Sequence, residues 1–421
     1  MCVPSKQKKT LSMSTPLIYL LMVGLGIFAG MSDIVLFKSL GLVIADVFIR
    51  VFKCMSLPII ALSIIVTLSS YCSQGMMKTV WRRTLCYTLA TTFIAAAVSF
   101  VLYLLISPEP MTTSVHAGVS TPIQQMNYFE HLGTLIPTNI FSPFLESKVI
   151  SVLLLGIVFG IAIRFIPDED AKQTITQFFK GAHGLFMVLT RWVIAVIPIG
   201  LFGFITTTVI QFRQGAELKG LGQYLLVVVL ANVVQGLVIL PLWLKWKGIA
   251  PFTMMKRMMP ALSLAFFSKS SIGTLPVTMS TAETQLNVRP EISRFVLPLC
   301  TSLNMNGCAA FIFATVVYLL QNHGVHMSLS TMAMWVVIAT ISAIGNAGVP
   351  MGCFFLSMSL LASMSVPITL MGLILPFYSV IDMIETALNV WSDACVVKVV
   401  DESIKDPIRV ETVEAAGVIA G

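Results

Sequence analysis

Ser268-Lys269-Ser270-Ser271-Ile272-Gly273-Thr274-Leu275-Pro276 sits in the middle of an apolar segment running from 258 to 282. The nonapeptide makes a poor helix interior, because Lys, Gly and Pro stand among hydroxyls. Lys256 and Arg257 precede the segment, and Glu283, Arg289, Glu291 and Arg294 follow it. A single crossing would put one charged flank on each side of a bilayer, whereas short basic loops stay on the cytoplasmic side. The segment therefore reads as a hairpin that enters and returns. Non-helical backbone at membrane depth survives only where protein or a wet cavity satisfies its N–H and C=O groups. A second interruption, Gly345-Asn346-Ala347-Gly348-Val349-Pro350, lies inside the apolar stretch 328–363. A proline-kinked spanning helix is the alternative for either break alone. Two breaks, both rich in Ser, Asn and Gly, favour two re-entrant hairpins, the pattern found where transporters bind solutes at mid-membrane.

Working outward, the rest of the chain fits this setting. Of its 421 residues 57% are hydrophobic and 11% charged, and the mean hydropathy is +0.91. A water-soluble domain carries roughly 25% charged residues. Apolar runs such as Leu85 to Ile106, Val149 to Phe165, Tyr224 to Leu244 and Ala333 to Leu361 recur along the chain, each long enough to cross or nearly cross a bilayer. The first run, Leu17 to Phe28, lacks a small-residue cleavage site and reads as a retained helix. Further helices are expected near 44–72, 82–107, 127–165 (broken), 180–208 and 219–243. The net charge of +7 is not a nucleic-acid surface. It is concentrated in short clusters, at Lys6, Lys8 and Lys9, at Lys78, Arg82 and Arg83, and at Lys245 and Lys247, which places both termini on the cytoplasmic side. The stretch from Pro108 to Pro122 carries only Glu109 and suits the opposite face. Eight scattered cysteines and five dispersed histidines, with no CxxC pair, predict neither disulfides nor zinc.

Two segments carry polarity inside apolar surroundings. One is Cys300-Thr301-Ser302-Leu303-Asn304-Met305-Asn306-Gly307. The other is Asp382-Met383-Ile384-Glu385-Thr386-Ala387-Leu388-Asn389-Val390-Trp391-Ser392-Asp393. Each mid-membrane carboxylate costs on the order of 3 kcal/mol on insertion scales, and the second segment holds three. Asp382, Glu385/Thr386, Asn389 and Asp393 recur at helical steps of three or four, so they form one face. A polar seam between helices is the alternative, but carboxylates without a nearby arginine repel unless cations intervene. Hard cations take oxygen ligands, and Asn304, Asn306, Asn389, Asp393 and freed carbonyls of the two breaks supply them. Asp382 is then free for an ammonium group and Asn389 for a carboxylate, which together hold an amino acid backbone. An enzyme is not expected, since HExxH and GxSxG are both missing. An ion channel is the less favoured class, because a filter is usually one loop repeated about an axis.

These residues carry a family resemblance. Ser270 to Thr278, Asn304-Met305-Asn306-Gly307, Gly345 to Pro350, and Asn389-Val390 with Asp393 occur in the order found in the dicarboxylate/amino acid:cation symporter family. Arg50 to Pro58 and Pro198-Ile199-Gly200-Leu201-Phe202 extend the similarity over nearly the whole chain. The resemblance implies an all-α polytopic membrane protein of the cytoplasmic membrane, with eight transmembrane helices plus two re-entrant helical hairpins. It also implies a homotrimer whose transport part moves like an elevator against a scaffold. On that plan residues 1–75 are first scaffold helices, 76–125 a transport-domain helix and outer loop, and 126–250 scaffold and transport helices. Residues 251–290 are hairpin one, 291–325 a broken helix with a cation motif, and 326–365 hairpin two. The last helix is 366–400, and 401–421 is a cytoplasmic tail. Ser270 and Ser271 would contact the substrate carboxylate and Val349 would gate the site. Asp382 would take the amino group, with Thr386 and Asn389 orienting it. One Na+ would sit among the Cys300 carbonyl, Asn304, Asn389 and Asp393. A second would use carbonyls near Ser302 and from Ala343 through Ile344 to Asn346, and a third Thr91, Thr92 and Asn304.

The departures from the family pattern bear on substrate. Glu385 stands where acidic-substrate members carry an arginine, and Cys308 replaces a threonine lining the side-chain pocket. Both favour a neutral or basic amino acid over glutamate, aspartate or a dicarboxylate. Lys269, in place of an arginine at the hairpin tip, could neutralise Glu385, and a protonated Glu385 would admit H+ as a coupling ion. Asn306 replaces an aspartate at the third cation site, and Tyr378 a second acidic residue of the last helix. No cofactor is expected beyond coupling Na+ or H+, and the partners are the solute, lipid and further copies of the chain.

Overall fold

The computed structural model describes residues 15–69, 76–110, 137, 139–145, 149–213, 219–325, 327–344, 346, 351–364, 366 and 370–404. Regular structure among them is entirely helical. The amino-terminal part comprises α1 (Thr15–Met31), α2 (Val35–Ser69), α3 (Met76–Ile106), the single turn α4 (Ser142–Leu145), α5 (Val149–Ile163), α6 (Glu169–Ala195) and α7 (Ile197–Arg213). The remainder begins with α8 (Lys219–Val234), a π-helical turn Gln235–Ile239, and α9 (Leu240–Trp246). It continues with α10 (Pro251–Ser268), α11 (Ser271–Gln285), α12 (Pro290–Leu303), α13 (Asn306–Asn322), α14 (Leu329–Ile344), α15 (Gly352–Ser363) and α16 (Met371–Ser403).

Several boundaries differ from the sequence reading. The helix expected from 44 begins at Val35. The one expected over 180–208 is two helices parted at Val196. Pro198 explains that break, since it has no N–H to give the preceding turn and is at home in a first helical turn. Residues 127–136 lie outside the described set, so only α4 and α5 represent the expected 127–165 helix.

Four helical stretches, Lys78–Ile106, Lys219–Trp246, Pro290–Asn322 and Met371–Ser403, are long and apolar enough to cross a bilayer. The core is centred on α13, whose residues from Asn306 to Leu320 are all buried. An apolar helix without a polar face must be surrounded, and α13 is packed by α3, α8, α14, α15 and α16. Outside this core α1 packs on α7, and α2 on α5, α6 and α7. These outer helices turn Leu21, Phe28, Leu36, Val43, Val158 and Trp192 outward, which suits hydrocarbon rather than water.

Two devices bring polar groups inward. Lys269, in the left-handed region at φ 55°, turns the chain between α10 and α11, which pack against each other as a helical hairpin. Ser270 then caps α11, its hydroxyl accepting from the Gly273 N–H at 3.0 Å. Asn304 and Met305, at φ/ψ of −98°/69° and −102°/63°, break α12 from α13. At the second interruption Gly345 and 347–350, Val349 among them, lie outside the described residues. Asn346 and Met351 flank the gap, and Met351 is also left-handed at φ 59°. The arms α14 and α15 both pack on α13.

Candidate substrate chamber and cation-site residues

Lys269, Ser271, Met305, Cys308, Asn346, Asp382, Glu385, Thr386 and Asn389 surround one cleft with about 230 Å³ of empty space. The α10–α11 turn supplies Lys269 and Ser271, the α12–α13 break Met305 and Cys308, and α16 the acidic face. The helical spacing of Asp382, Glu385/Thr386 and Asn389 brings all four to the cleft, and all are buried.

The close approach of α13 to α16 depends on Gly307. A β-carbon there would come within 2.7 Å of the Glu385 Cα and 2.8 Å of Asn232 Oδ1. Asn389 is aligned across the same junction, its Oδ1 accepting from the Gly307 N–H at 2.9 Å. Tyr378 donates to Glu385 Oε2 at 3.3 Å. Lys269 donates to Ser379 Oγ at 2.5 Å, so it does not form the ion pair with Glu385 that the sequence left open. Asp382 Oδ2 and Glu385 Oε1 are buried without a hydrogen-bond partner among the described residues. A buried charge left in this way is costly, and a cationic group entering the cleft would relieve it.

Beneath the cleft lies a second polar cluster. Asn304 Nδ2 donates to Ser392 Oγ and Asp393 Oδ1, each at 2.9 Å, and Thr91 Oγ1 is 2.9 Å from Asn304 Oδ1. Asn306 Nδ2 reaches Asn304 Oδ1 at 2.8 Å and Ser392 Oγ at 2.9 Å. Gln235 Nε2 donates to Asn306 Oδ1 at 2.7 Å. Without a hydrogen-bond partner among the described residues are Thr92 Oγ1, Gln235 Oε1 and Asp393 Oδ2 here, and Ser342 Oγ and Asn346 Oδ1 in and just after α14. These hard donors fit a monovalent cation held by oxygens. The Cys300 carbonyl already accepts from the Asn304 N–H at 2.8 Å. Ser302 and Ala343–Ile344 belong to α12 and α14, which touch.

Some members of the site were not singled out from sequence. Gln235 is one, although an amide in the apolar run Tyr224 to Leu244 was a usable signal. What turns it inward is the π-helical turn, which also presents the Gly236 carbonyl to Trp391 Nε1 at 3.1 Å. Cys353 is another. The expectation of no disulfide is corrected here, because Cys308 and Cys353 are paired across 45 residues of sequence. With Glu385 they also form a buried group of metal-ligand type. No local spacing motif announces either.

The chain matches the sodium:dicarboxylate symporter family over residues 17–403. It belongs to that family. It is similar to the neutral amino acid transporter B(0) of Oryctolagus cuniculus, with 26% identity over 387 residues, 83% of this chain and 71% of the relative. A Caenorhabditis elegans protein named as a sodium-dependent excitatory amino acid transporter, glt-4, shares 29% over 420 residues, 86% of this chain and 83% of its own. Human neutral amino acid transporter A shares 28% over 249 residues, 59% and 46% respectively. As a member of this family the chain is a multi-pass membrane transporter and not an enzyme.

Proposed function

We propose that this symporter carries a neutral or basic amino acid together with Na+. The observation that carries the reading is Glu385, buried in the cleft with a free carboxylate oxygen while Lys269 is engaged by Ser379. An anionic solute side chain 4 Å from an ionised Glu385 is disfavoured by about 4 kcal/mol at an effective dielectric constant near 20. A neutral side chain escapes that repulsion and a cationic one reverses it. Asp382 takes the substrate ammonium, Ser270, Ser271 and Asn389 its carboxylate, and Thr386 orients it. Cys308 lines the side-chain end, and Val349 gates the cleft from the second interruption.

Asp393, Asn304, Thr91, Thr92 and the carbonyls around Ser302 and Ala343–Asn346 coordinate the coupling cations. Asn306 changes this set: its amide N–H groups point at oxygens that a cation between Thr91 and Asn304 would need. The third cation site is therefore filled by hydrogen bonds, and the chain couples to fewer Na+. A second reading, with H+ as coupling ion, is favoured by Glu385 Oε1, which is buried in the cleft without a hydrogen-bond partner among the described residues. The wider plan is eight spans and two re-entrant hairpins, both termini cytoplasmic in the plasma membrane, and a homotrimer with elevator motion. The all-helical core and the basic loops support it.

The test is uptake into proteoliposomes under an inward Na+ gradient, with unlabelled arginine, serine, cystine, glutamate and succinate as competitors. Serine or arginine displaces the labelled solute and glutamate does not. Uptake unchanged after collapse of both the Na+ and H+ gradients, or tight competition by glutamate, refutes the assignment.

A further inference from the structure

We propose that Cys308, Cys353 and Glu385 form a metal site: with both cysteines reduced, two thiolates and one carboxylate bind a borderline-soft divalent cation, Zn2+. Each ligand comes from a different helix. Cys308 lies in the first turn of α13, Cys353 in the first turn of α15 and Glu385 in the middle of α16. Each residue offers one ligand atom, and these atoms all lie within 4.8 Å of one another. A tetrahedral Zn2+ with Zn–S bonds of about 2.3 Å holds its sulfurs roughly 3.8 Å apart. Once the Cys308–Cys353 disulfide is open, side-chain rotation brings the sulfurs to that spacing. All three residues are buried, at 2%, 2% and 1% exposure. Glu385 Oε1 has no hydrogen-bond partner among the described residues, and a buried carboxylate oxygen in that state is stabilised by a cation.

The donor set selects the ion. Mg2+ and Ca2+ take oxygen ligands, whereas Zn2+ accepts thiolate sulfur and carboxylate oxygen together. Cu+ favours sulfur, and Met305 Sδ, 4.0 Å from Cys308 Sγ, is the further sulfur it would draw on. The Glu385 carboxylate is therefore what favours Zn2+. Binding releases both thiol protons to solvent. Outer hydrogen-bond donors hold the ligands in place, as they do around metal centres generally. Asn346 Nδ2 is 2.8 Å from Cys308 Sγ and 3.3 Å from Cys353 Sγ, and Asn389 Nδ2 is 3.5 Å from Cys308 Sγ. Tyr378 donates to Glu385 Oε2. Cys308 and Glu385 line the cleft, so an ion sharing the solute's route reaches them. They also form the side-chain end of the substrate chamber, so ion and solute exclude each other. That consequence rests on the transport reading; the metal site itself does not. The free cysteines among the described residues, Cys54, Cys86, Cys300 and Cys395, lie outside the group.

The full-length protein in detergent is reduced with a phosphine, which takes oxygen from water while the two sulfurs take its hydrogens. Co2+, a spectroscopic stand-in for Zn2+, is then titrated in. The expected result is thiolate-to-cobalt charge-transfer absorption that saturates at one equivalent per chain and disappears when Zn2+ is added. Cys308→Ser and Cys353→Ser lose the band. Diamide, which removes both thiol hydrogens and re-forms the disulfide, abolishes it in the parent. Glu385→Gln keeps a sulfur band but binds Co2+ at least about tenfold more weakly. Cys54→Ser and Cys86→Ser bind as the parent does. In reduced proteoliposomes Zn2+ inhibits uptake, more solute relieves the inhibition, and a chelator reverses it. Should either site cysteine variant not fold, the diamide-treated parent gives the same decision. The proposal is overturned if the reduced parent shows no band, or if the band survives in Cys353→Ser or after diamide. Equal Co2+ affinity in Glu385→Gln, or a band lost in Cys54→Ser or Cys86→Ser, overturns it as well. Uptake that ignores bound Zn2+ overturns the shared pocket. If the reduced protein takes up no amino acid at all, the transport reading fails by itself, and the Co2+ spectrum still decides the metal site.

Discussion

The outer helices α1, α2, α5 and α7 and the inner helices α12 to α16 are built from similarly apolar sequence yet are held by different physics. In the outer layer α1 and α5 hold no charged residue, and the charges of α2, such as Asp46 and Arg50, pair at the surface. Asp33 and Arg213, just past the C-terminal end of α1 and at that of α7, meet at 3.0 Å on the surface, and the lipid-type side chains face outward. The inner layer does the opposite: α13 is enclosed on every side, while α16 buries Asp382, Glu385 and Asp393 with a free oxygen on each. Apolar packing suffices to assemble the first. The second buries carboxylate oxygens that have no hydrogen-bond partner among the described residues, a cost that a bound cation or solute would relieve.

If that contrast holds, substitutions in the inner layer change transport and those in the outer layer barely register. The largest effect is expected for Asp393→Ala, which removes the carboxylate facing Asn304. Na+-driven uptake should vanish, while the purified protein still elutes as a folded species in size-exclusion chromatography. Full activity would end the cation role. Next comes Glu385→Gln, which lifts the repulsion of anionic side chains. Inhibition by glutamate should strengthen by up to about a thousandfold in the competition assay, the equivalent of ~4 kcal/mol at 4 Å. No change would show that Glu385 is already neutral. Gly307→Ala forces α13 off α16 and should destabilise by about 1–3 kcal/mol, as overpacked cores do, read as a lowered midpoint in a thermal unfolding assay in detergent.

Smaller changes belong to the outer layer. Leu36→Ala, on an outward-facing position, should stay within about 0.5 kcal/mol, with uptake unaltered. Least of all is Asp33→Asn. The hydrogen bond from Arg213 and its charge, with help from Lys38, hold the Asp33 carboxyl below its usual range. A depressed folded-state value contributes stability above the unfolded pKa of about 3.9 and loses it only as pH falls through the folded value. The difference between Asp33→Asn and the parent should therefore be the same at pH 5 and pH 8. A difference that grows across that window would move the contact into the inner layer's category.

How much could be read beforehand follows the same division. The stripe Asp382, Glu385/Thr386, Asn389, Asp393 is legible because helical periodicity alone puts those side chains on one face. The interruption at Lys269–Ser270 is legible because Lys, Gly and Pro are costly in an apolar helix. Illegible were the contacts those residues make. Lys269 chooses Ser379 over Glu385, and that choice depends on where α16 passes the hairpin turn. Gln235 enters the polar cluster around Asn304 and Asn306 through a π-helical turn whose extra residue rotates it inward, and no local pattern specified the turn.

From sequence alone came the membrane setting, the helical class, the two interruptions and the inventory of acids, amides and hydroxyls that carry the chemistry. All of these follow from composition and from periodicities of a few residues, which act locally along the chain. Only the tertiary structure decided that Cys308 meets Cys353, that Gly307 must be bare for α13 to reach α16, and that Asn306 points its N–H groups into a cluster of oxygens. Those outcomes join residues tens to hundreds of positions apart, and their energies depend on distances that packing alone sets.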